Sequence, residues 1–480
     1  MATEYETVVG MEVHVELETD TKVFCGCSTT FGGEPNTQTC PVCLGMPGSL
    51  PVINKQAFEY AMRVCLALNS EITRRTQFER KNYYYPDLPK NYQISQLRKN
   101  LGVGGGLEIR VGDTKKLIRM DNVHLEEDAG KNIHPEHPGA DYSLVDLNRA
   151  GTALLEIVSE PDLRGMEESL AYMDALKNLL QYTEVSSCNM HEGRLRFEAN
   201  ISVRPVGSAK LGTKVEVKNL NSTKTVLKCI EYETERQIEM VEAGERIRQE
   251  TRLWDDDNSQ TLAMRSKEEA QDYRYFPDPD LVEAEISDEW IEEVRASVPE
   301  LPGARADRFQ GEYGIPEYDA AVLTSDKALA DYYETAVGVH KNPKSISNWI
   351  MTEILRLLSD SETEVGDLPV SPENLAGLVG LIDDGTISGK IAKGVFADMM
   401  DGGGDPAGIV EKKGLKQISD TGALEGMVDQ VLAENEKSVA DYRDGKDKAL
   451  KHLMGQVMRA SKGQANPGLV QEMIKKKLAG

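Results

Sequence analysis

From Val9 to Glu18 apolar and polar residues alternate. Val9, Met11, Val13, Val15 and Leu17 fall on one side of an extended segment, and Gly10, Glu12, His14, Glu16 and Glu18 on the other. The run RLRFEANISVR repeats the design, with Leu195, Phe197, Ile201 and Val203 opposed to Arg194, Arg196, Glu198, Asn200 and Arg204. KVEVK does so again, setting Val215 and Val217 against Lys214, Glu216 and Lys218. Strands with one apolar and one charged face predict an antiparallel sheet covered on one side. Apolar residues at three- and four-residue spacing predict helices at 55–68, at 167–181 and, behind a Ser222 cap, to about Val241. From about Ser287 the strand signal stops, and short amphipathic helices follow, among them 345–358, 373–382, 423–432, 448–460 and 468–478.

Four of the seven cysteines form two close pairs, Cys25 with Cys27 and Cys40 with Cys43. Thiolates at this spacing suit a closed tetrahedral Zn²⁺ site, which staples a loop and leaves no position open for substrate. Two disulfides or inert buried thiols are the competing readings. Cys65, Cys188 and Cys229 lie in apolar or helical contexts and are expected to be core thiols. The expected fold is α+β: an antiparallel-sheet cradle with a zinc staple at residues 1–290, then all-α helical and tail domains at 291–402 and 403–480.

The chain has 480 residues and a net charge of −25, which argues against a protein that coats nucleic acid. Acidity of this degree is compatible with a saline cytoplasm. No run of eighteen apolar residues occurs, and MATEYETVVG lacks the order of a signal peptide, so a soluble, cytoplasmic protein without membrane association is expected. The charge is uneven: residues 446–480 carry +6, leaving −31 for the remainder. That basic end reads either as a phosphate-contacting surface or as lysines complementing helix C-termini.

The polar strand faces, with the cluster Glu126-Glu127-Asp128, collect carboxylates, an imidazole and cations of the kind that hold Mg²⁺ and nucleotide phosphates. A solvated face laced with cross-strand ion pairs is the bland alternative. GVGGG at 102–106 lacks the lysine and helix of a phosphate loop and predicts a hairpin turn. The tyrosine-rich KNYYYPDLPKNYQISQ suits either base stacking or a rigid packed loop.

The ordered runs GMEVHVEL, FGGEPNTQTCPVCLGMPGSLPVIN, KNYYYPDLPKNYQISQ, HLEEDAGK, DLNRAGTALLEIVSEPD, RLRFEANISVR, KVEVKNLNS and DYRYFPDPDL closely resemble the B subunits of tRNA-dependent aspartyl/glutamyl amidotransferases. They cover most of residues 10–281, and the helical remainder looks like the family's helical and tail domains. A related archaeal subunit usually reads E-I-H-Q where this chain has E-V-H-V, and carries an insertion for which there is no room here.

The resemblance implies an ATP-dependent carbon–nitrogen ligase with glutamine as amido donor. Its B subunit phosphorylates the side-chain carboxylate of Asp-tRNA(Asn) or Glu-tRNA(Gln), and ammonia displaces the phosphate. A partner A subunit, an amidase, supplies the ammonia through a channel, and a small C subunit clasps the two. Carried over by motif, Glu12, His14, Glu126 and Glu127 look like the metal-binding and catalytic set, with Glu12, His14 and Glu126 on Mg²⁺. Arg149, Glu198 and Glu216 are implied as further catalytic residues, and Lys90, Arg194, Arg196, Lys214 and Lys218 as contacts to ATP. The four cysteines match the family's zinc-bearing members. The competing class is a non-catalytic, zinc-stapled scaffold that binds tRNA.

Overall fold

The computed structural model describes residues 4–478 apart from 113, 136–140, 265–272, 361–364, 418–420, 444–445 and 462–463. The chain is mixed α/β, sheet-rich in its N-terminal part and helical in its C-terminal part. It divides into two compact units, Met1–Pro302 and Gly303–Gly480.

In the first unit, ten strands among the described residues form one sheet. Its middle runs through Val215–Leu220, Leu195–Pro205, Tyr5–Glu16, Ala153–Ser159 and Thr114–Glu127, each antiparallel to its neighbour. Alternation decides which side each residue faces: Val9, Met11, Val13 and Val15 are fully buried in a core that also takes Phe197, Ile201, Val215 and Val217. Helices Lys55–Ala67, Gly165–Tyr182 and Thr223–Glu242 contribute Phe58, Met62, Tyr172, Leu176, Val226 and Ile230 to the same core. The Asn54 side chain caps the first of these by accepting from the backbone of Gln56 and Ala57, and Ser222 caps the third by accepting from Thr225. Cys65, Cys188 and Cys229 are buried in this core. Helix Asp288–Ala296 adds Ile291 and Val294, so the compact unit continues past the point where the strand pattern ends.

Two features depart from the sequence reading. Val215–Leu220 and Thr251–Asp255 pair in parallel, because helix Thr223–Glu242 carries the chain back across the core between them. GVGGG is not a hairpin turn: Gly102–Val103 and Gly106–Val111 both pair with Thr114–Glu127, so the glycines make a break within one side of that ladder. Gly105 has φ of +89°, and a Cβ there would stand 2.5 Å from the Leu68 carbonyl oxygen.

The second unit is helical from Pro302–Tyr313 onward and holds two cores. One gathers Phe309, Tyr333, Ile346, Ile350, Leu375, Val395 and Val410, and the other Leu424, Val428, Leu453, Val457, Val470 and Ile474. The helix expected at 345–358 is interrupted: Pro343–Trp349 passes into a π-helical turn at Ile350–Ile354 before Leu355–Asp360. Among the described residues, no helix is long and apolar enough to cross a membrane.

Candidate active site and cysteine cluster

Strand register builds a row of polar groups across the sheet. His14 stands opposite Glu156 on one side and Arg196 on the other, and Glu156 in turn stands opposite His124. Directly opposed residues share a face, so four strands present His124, Glu156, His14 and Arg196 side by side. Glu156 Oε2 lies 3.5 Å from His14 Nε2 and 3.1 Å from His124 Nε2. Glu126, on the His124 strand, reaches within 3.8 Å of His14 and accepts from Ser95 Oγ at 3.0 Å. His124 Nδ1 is 2.8 Å from Asn122 Oδ1.

A second group lies one step along the first strand, where Glu12 stands opposite Glu198. Glu12, Glu198 and Glu216 bring carboxylate oxygens within 4.8 Å of one another, as do the donors of His14, Glu126 and Glu156. Lys218 Nζ donates to Glu198 at 2.5 Å and to Glu216 at 2.8 Å, while Asn200 donates to Glu12 at 2.9 Å. The Glu12, His14 and Glu126 expected together are thus divided between two adjacent clusters, and Glu156 completes the histidine one.

The electrostatics follow from concentrating charge at a half-buried face. Burial opposes a charge on His14, but its hydrogen bond to Glu156 and the charges of Glu156, Glu198 and Glu126 prevail and hold the imidazole at about 9. Burial would raise Glu156; charge and hydrogen bonding from His124 and His14 overcome it and hold the carboxyl well below its usual range. Burial, then the charges of Glu156, Glu198 and Glu216, push Glu12 up against its hydrogen bond from Asn200. Glu16 is raised to about 7 by burial and Asp128, with Arg194, Arg149 and Arg196 opposing. Burial disfavours a charged Lys81, but Glu126 and Glu156 raise it above its ordinary value.

The remaining expected residues take other positions. Glu127 follows Glu126 directly, so the pleat turns it to the opposite side. There it is bound by Lys90 and accepts from the Ile94 amide at 2.8 Å. This pair lines a cavity of about 280 Å³ with Cys25, Cys43 and Gly45. Arg149 and Arg196 both meet Asp128, at 3.4 and 2.9 Å. Arg194 is joined to Glu18 at 2.7 Å and Glu192 at 2.6 Å, and Lys214 is exposed just before its strand. Glu156, His124 and Lys81 were not singled out from the sequence, and Asp128 stood out only as the last of an acidic triplet. A lone carboxylate in the apolar run ALLEIV, and a histidine two places before Glu126, were the available signals.

The four paired cysteines bring their sulfurs within 4.8 Å of one another, with Cys40 and Cys43 3.9 Å apart. Tetrahedral Zn–S bonds of about 2.3 Å place sulfurs about 3.8 Å apart, so the donor set fits zinc. The hydrogen bond from Cys25 leads in lowering Cys43 to about 4, against burial, with the Cys40 amide and Lys22 assisting. At the sheet face, the two carboxylates beside His14 and the three of the Glu12 group are the hard oxygen donors that Mg²⁺ takes.

Residues 7–292 match the family model of the GatB/GatE catalytic domain, and residues 331–478 that of the GatB domain. The chain is 54% identical over 477 residues to the B subunit of the aspartyl/glutamyl-tRNA(Asn/Gln) amidotransferase of Carboxydothermus hydrogenoformans, spanning 99% of each chain. It is 55% identical over 478 residues to the protein of the same name in Geotalea daltonii, covering 99% of this chain and all of that one. To that of Moorella thermoacetica it is 55% identical over 475 residues, with the same coverage.

Proposed function

Because this chain belongs to the family of GatB subunits of tRNA-dependent amidotransferases, we propose that its polar sheet face performs the ATP-dependent step of that glutamine-hydrolysing ligase. The substrates are Asp-tRNA(Asn), Glu-tRNA(Gln) or both, and the partners are an amidase A subunit and a small C subunit. The observation that carries the reading is the convergence of His14, Glu126 and Glu156 beside Glu12, Glu198 and Glu216 on one face.

His14, Glu126 and Glu156 would hold Mg²⁺, His14 as the neutral imidazole once the cation displaces its proton, with the Glu12 group adjoining. When bound, Mg²⁺ neutralises phosphate oxygens of ATP. The side-chain carboxylate oxygen of the aminoacyl group attacks the terminal phosphorus, and the bond to the ADP oxygen breaks. Ammonia then attacks the acyl carbon, the bond to phosphate breaks, and one proton is lost. Lys81, Arg196 and Lys218 supply positive charge along the phosphate path; Arg196 is already paired with Asp128 and Lys218 with Glu198, which fixes their positions before substrate arrives, and Lys81 lies in the field of Glu126 and Glu156. Cys25, Cys27, Cys40 and Cys43 hold one Zn²⁺ as a structural staple. A non-catalytic scaffold is not favoured, since gripping tRNA asks for no desolvated row of carboxylates.

The test is ATP consumption and amidation by the chain with its A and C partners, using each misacylated tRNA. ATP turnover dependent on misacylated tRNA, with formation of Asn-tRNA or Gln-tRNA, is expected. Absence of turnover with both tRNAs refutes the reading.

A further inference from the structure

Lys22 is fully buried, with 0% of its surface exposed. A buried ammonium is costly unless opposite charge or several acceptors surround it. Its Nζ donates to the Gln38 carbonyl at 2.8 Å and lies 3.4 Å from the Leu147 carbonyl and 3.7 Å from Cys43 Sγ. It makes no salt bridge to a carboxylate among the described residues, and Glu127, across Gly151, is bound to Lys90. Four thiolates around Zn²⁺ carry a net charge of −2, which is the negative charge this burial calls for.

The three contacts of Lys22 belong to different segments. Gln38 and Cys43 are in the cysteine loop, whereas Leu147 is in the loop that carries Arg149. These loops are stitched together directly: Gln38 N donates to Asn148 Oδ1 at 2.9 Å, Asn148 Nδ2 to the Glu34 carbonyl at 2.7 Å, and Leu147 N to Asn36 Oδ1 at 2.9 Å. Beyond Arg149, Gly151 accepts from Val23 N at 3.0 Å and donates to the Asp128 carbonyl at 2.8 Å. Arg149 itself donates to the Ala129 and Gly130 carbonyls at 2.9 and 2.7 Å, beside Asp128. The cysteine cluster is therefore attached to the segment that orients Arg149 and Asp128; the Asp146 carboxylate, which accepts from Asn36 N at 3.1 Å, and the fully buried Lys22 are charged links between them.

We propose that Lys22 is the buried counter-cation of a tetrathiolate zinc centre and a positioning residue that transmits metal occupancy to the Arg149 loop. The inference rests on the zinc reading above. Loss of the metal releases the four sulfurs from one another and removes the fixed −2 centre that Lys22 faces, so the ammonium and both loops it joins are no longer held in one arrangement. Zinc so placed does more than staple its own loop, since it sets the order of residues 145–151.

Amide hydrogen exchange on the full chain in its complex, zinc-loaded and chelator-stripped, tests this alongside Lys22→Met and Lys22→Arg. Stripping is expected to speed exchange at 145–151 about tenfold or more while leaving 195–203 unchanged. Lys22→Met, loaded with zinc, is expected to show the same local exchange, to release zinc to a chelator about tenfold faster, and to lower kcat with little change in KM for tRNA; Lys22→Arg restores all three in large part. Equal protection at 145–151 with and without zinc overturns the proposal, and this comparison decides it even if Lys22→Met does not fold. Zinc retention by Lys22→Met equal to wild type also overturns it. Protein that purifies with four free thiols and no zinc by elemental analysis refutes the zinc reading itself, a failure distinct from intact zinc without coupling.

Discussion

Replacing Glu156 by Gln changes one oxygen for an amide nitrogen at constant volume, midway between two imidazoles. The carboxylate lies 3.5 Å from His14 and 3.1 Å from His124, and its strand pairs on both sides, so the backbone has no reason to move. What is lost is one unit of negative charge facing a divalent ion. At about 4 Å and an effective dielectric of about 20, that interaction is worth about 8 kcal/mol gross for a dication. Hydration of the ion by a replacement water, and relief of repulsion from Glu126 and Glu12, cancel most of it. About 2–3 kcal/mol remains, or a loss of about 30- to 150-fold in affinity. Mn²⁺ binding to the purified complex, followed by calorimetry or electron paramagnetic resonance, reads this directly. Amidation should fall with it while glutamine hydrolysis by the A subunit persists. Glu233→Gln, on the other side of the sheet, is the control and should leave Mn²⁺ affinity unchanged. Mn²⁺ affinity of Glu156→Gln within threefold of wild type, with unchanged amidation, would remove Glu156 from the metal set.

Glu233 is fully buried and accepts from Arg236 Nε at 2.9 Å and NH2 at 2.8 Å, and from Gln237 at 3.1 Å, with Arg252 3.2 Å away. Because both arginines keep some solvent contact, Glu233→Gln should cost about 2–4 kcal/mol in urea unfolding of the N-terminal unit. Burial resists ionisation of Glu233, but hydrogen bonds from Arg236, Thr261 and Gln237 hold its carboxyl below the usual 4.5. Its stabilisation is therefore present above pH 4.5 and lost as pH falls through the lower folded value, so the gap between variant and wild type should narrow only on that acid side. Gly105→Ala should destabilise by at least about 2 kcal/mol in the same assay, since φ is positive and the new methyl meets Leu68 and Ser70 backbone at 2.5 and 2.6 Å. For the basic end, reversing Lys448, Lys451, Lys475 and Lys476 to Glu is a cleaner test than deletion, because Leu453, Val457, Val470 and Ile474 in the same segment form a core with Leu424 and Val428. tRNA affinity should drop, and its logarithmic salt slope should fall by about one for each phosphate no longer neutralised; an unchanged slope would show that these lysines only complement helix ends.

Periodicity made much of the architecture legible. The alternation of Val9, Met11, Val13 and Val15 with Glu12, His14 and Glu16 determines which side of a strand each occupies, whatever the partner. The Ser222 cap and the spacing in 55–68 likewise act within a few residues, and both helices stand where that local signal placed them. The paired cysteines carried their own chemistry in their spacing. Pairing between distant strands was a different matter. Glu126 and Glu127 are neighbours in sequence and part company in space, because the pleat sends one toward His14 and the other toward Lys90. Glu156 is 142 positions from His14 and joins it only through the register of two strands. The two clusters in which Glu12 and His14 lie, the parallel pair made by a crossover helix, and the burial of Lys22 against Cys43 all depend on which segments meet. A strand's faces are local geometry, written in its own residues. Which strand lies beside it, and at what offset, is settled by the packing of the whole apolar side, and that is what composes the site.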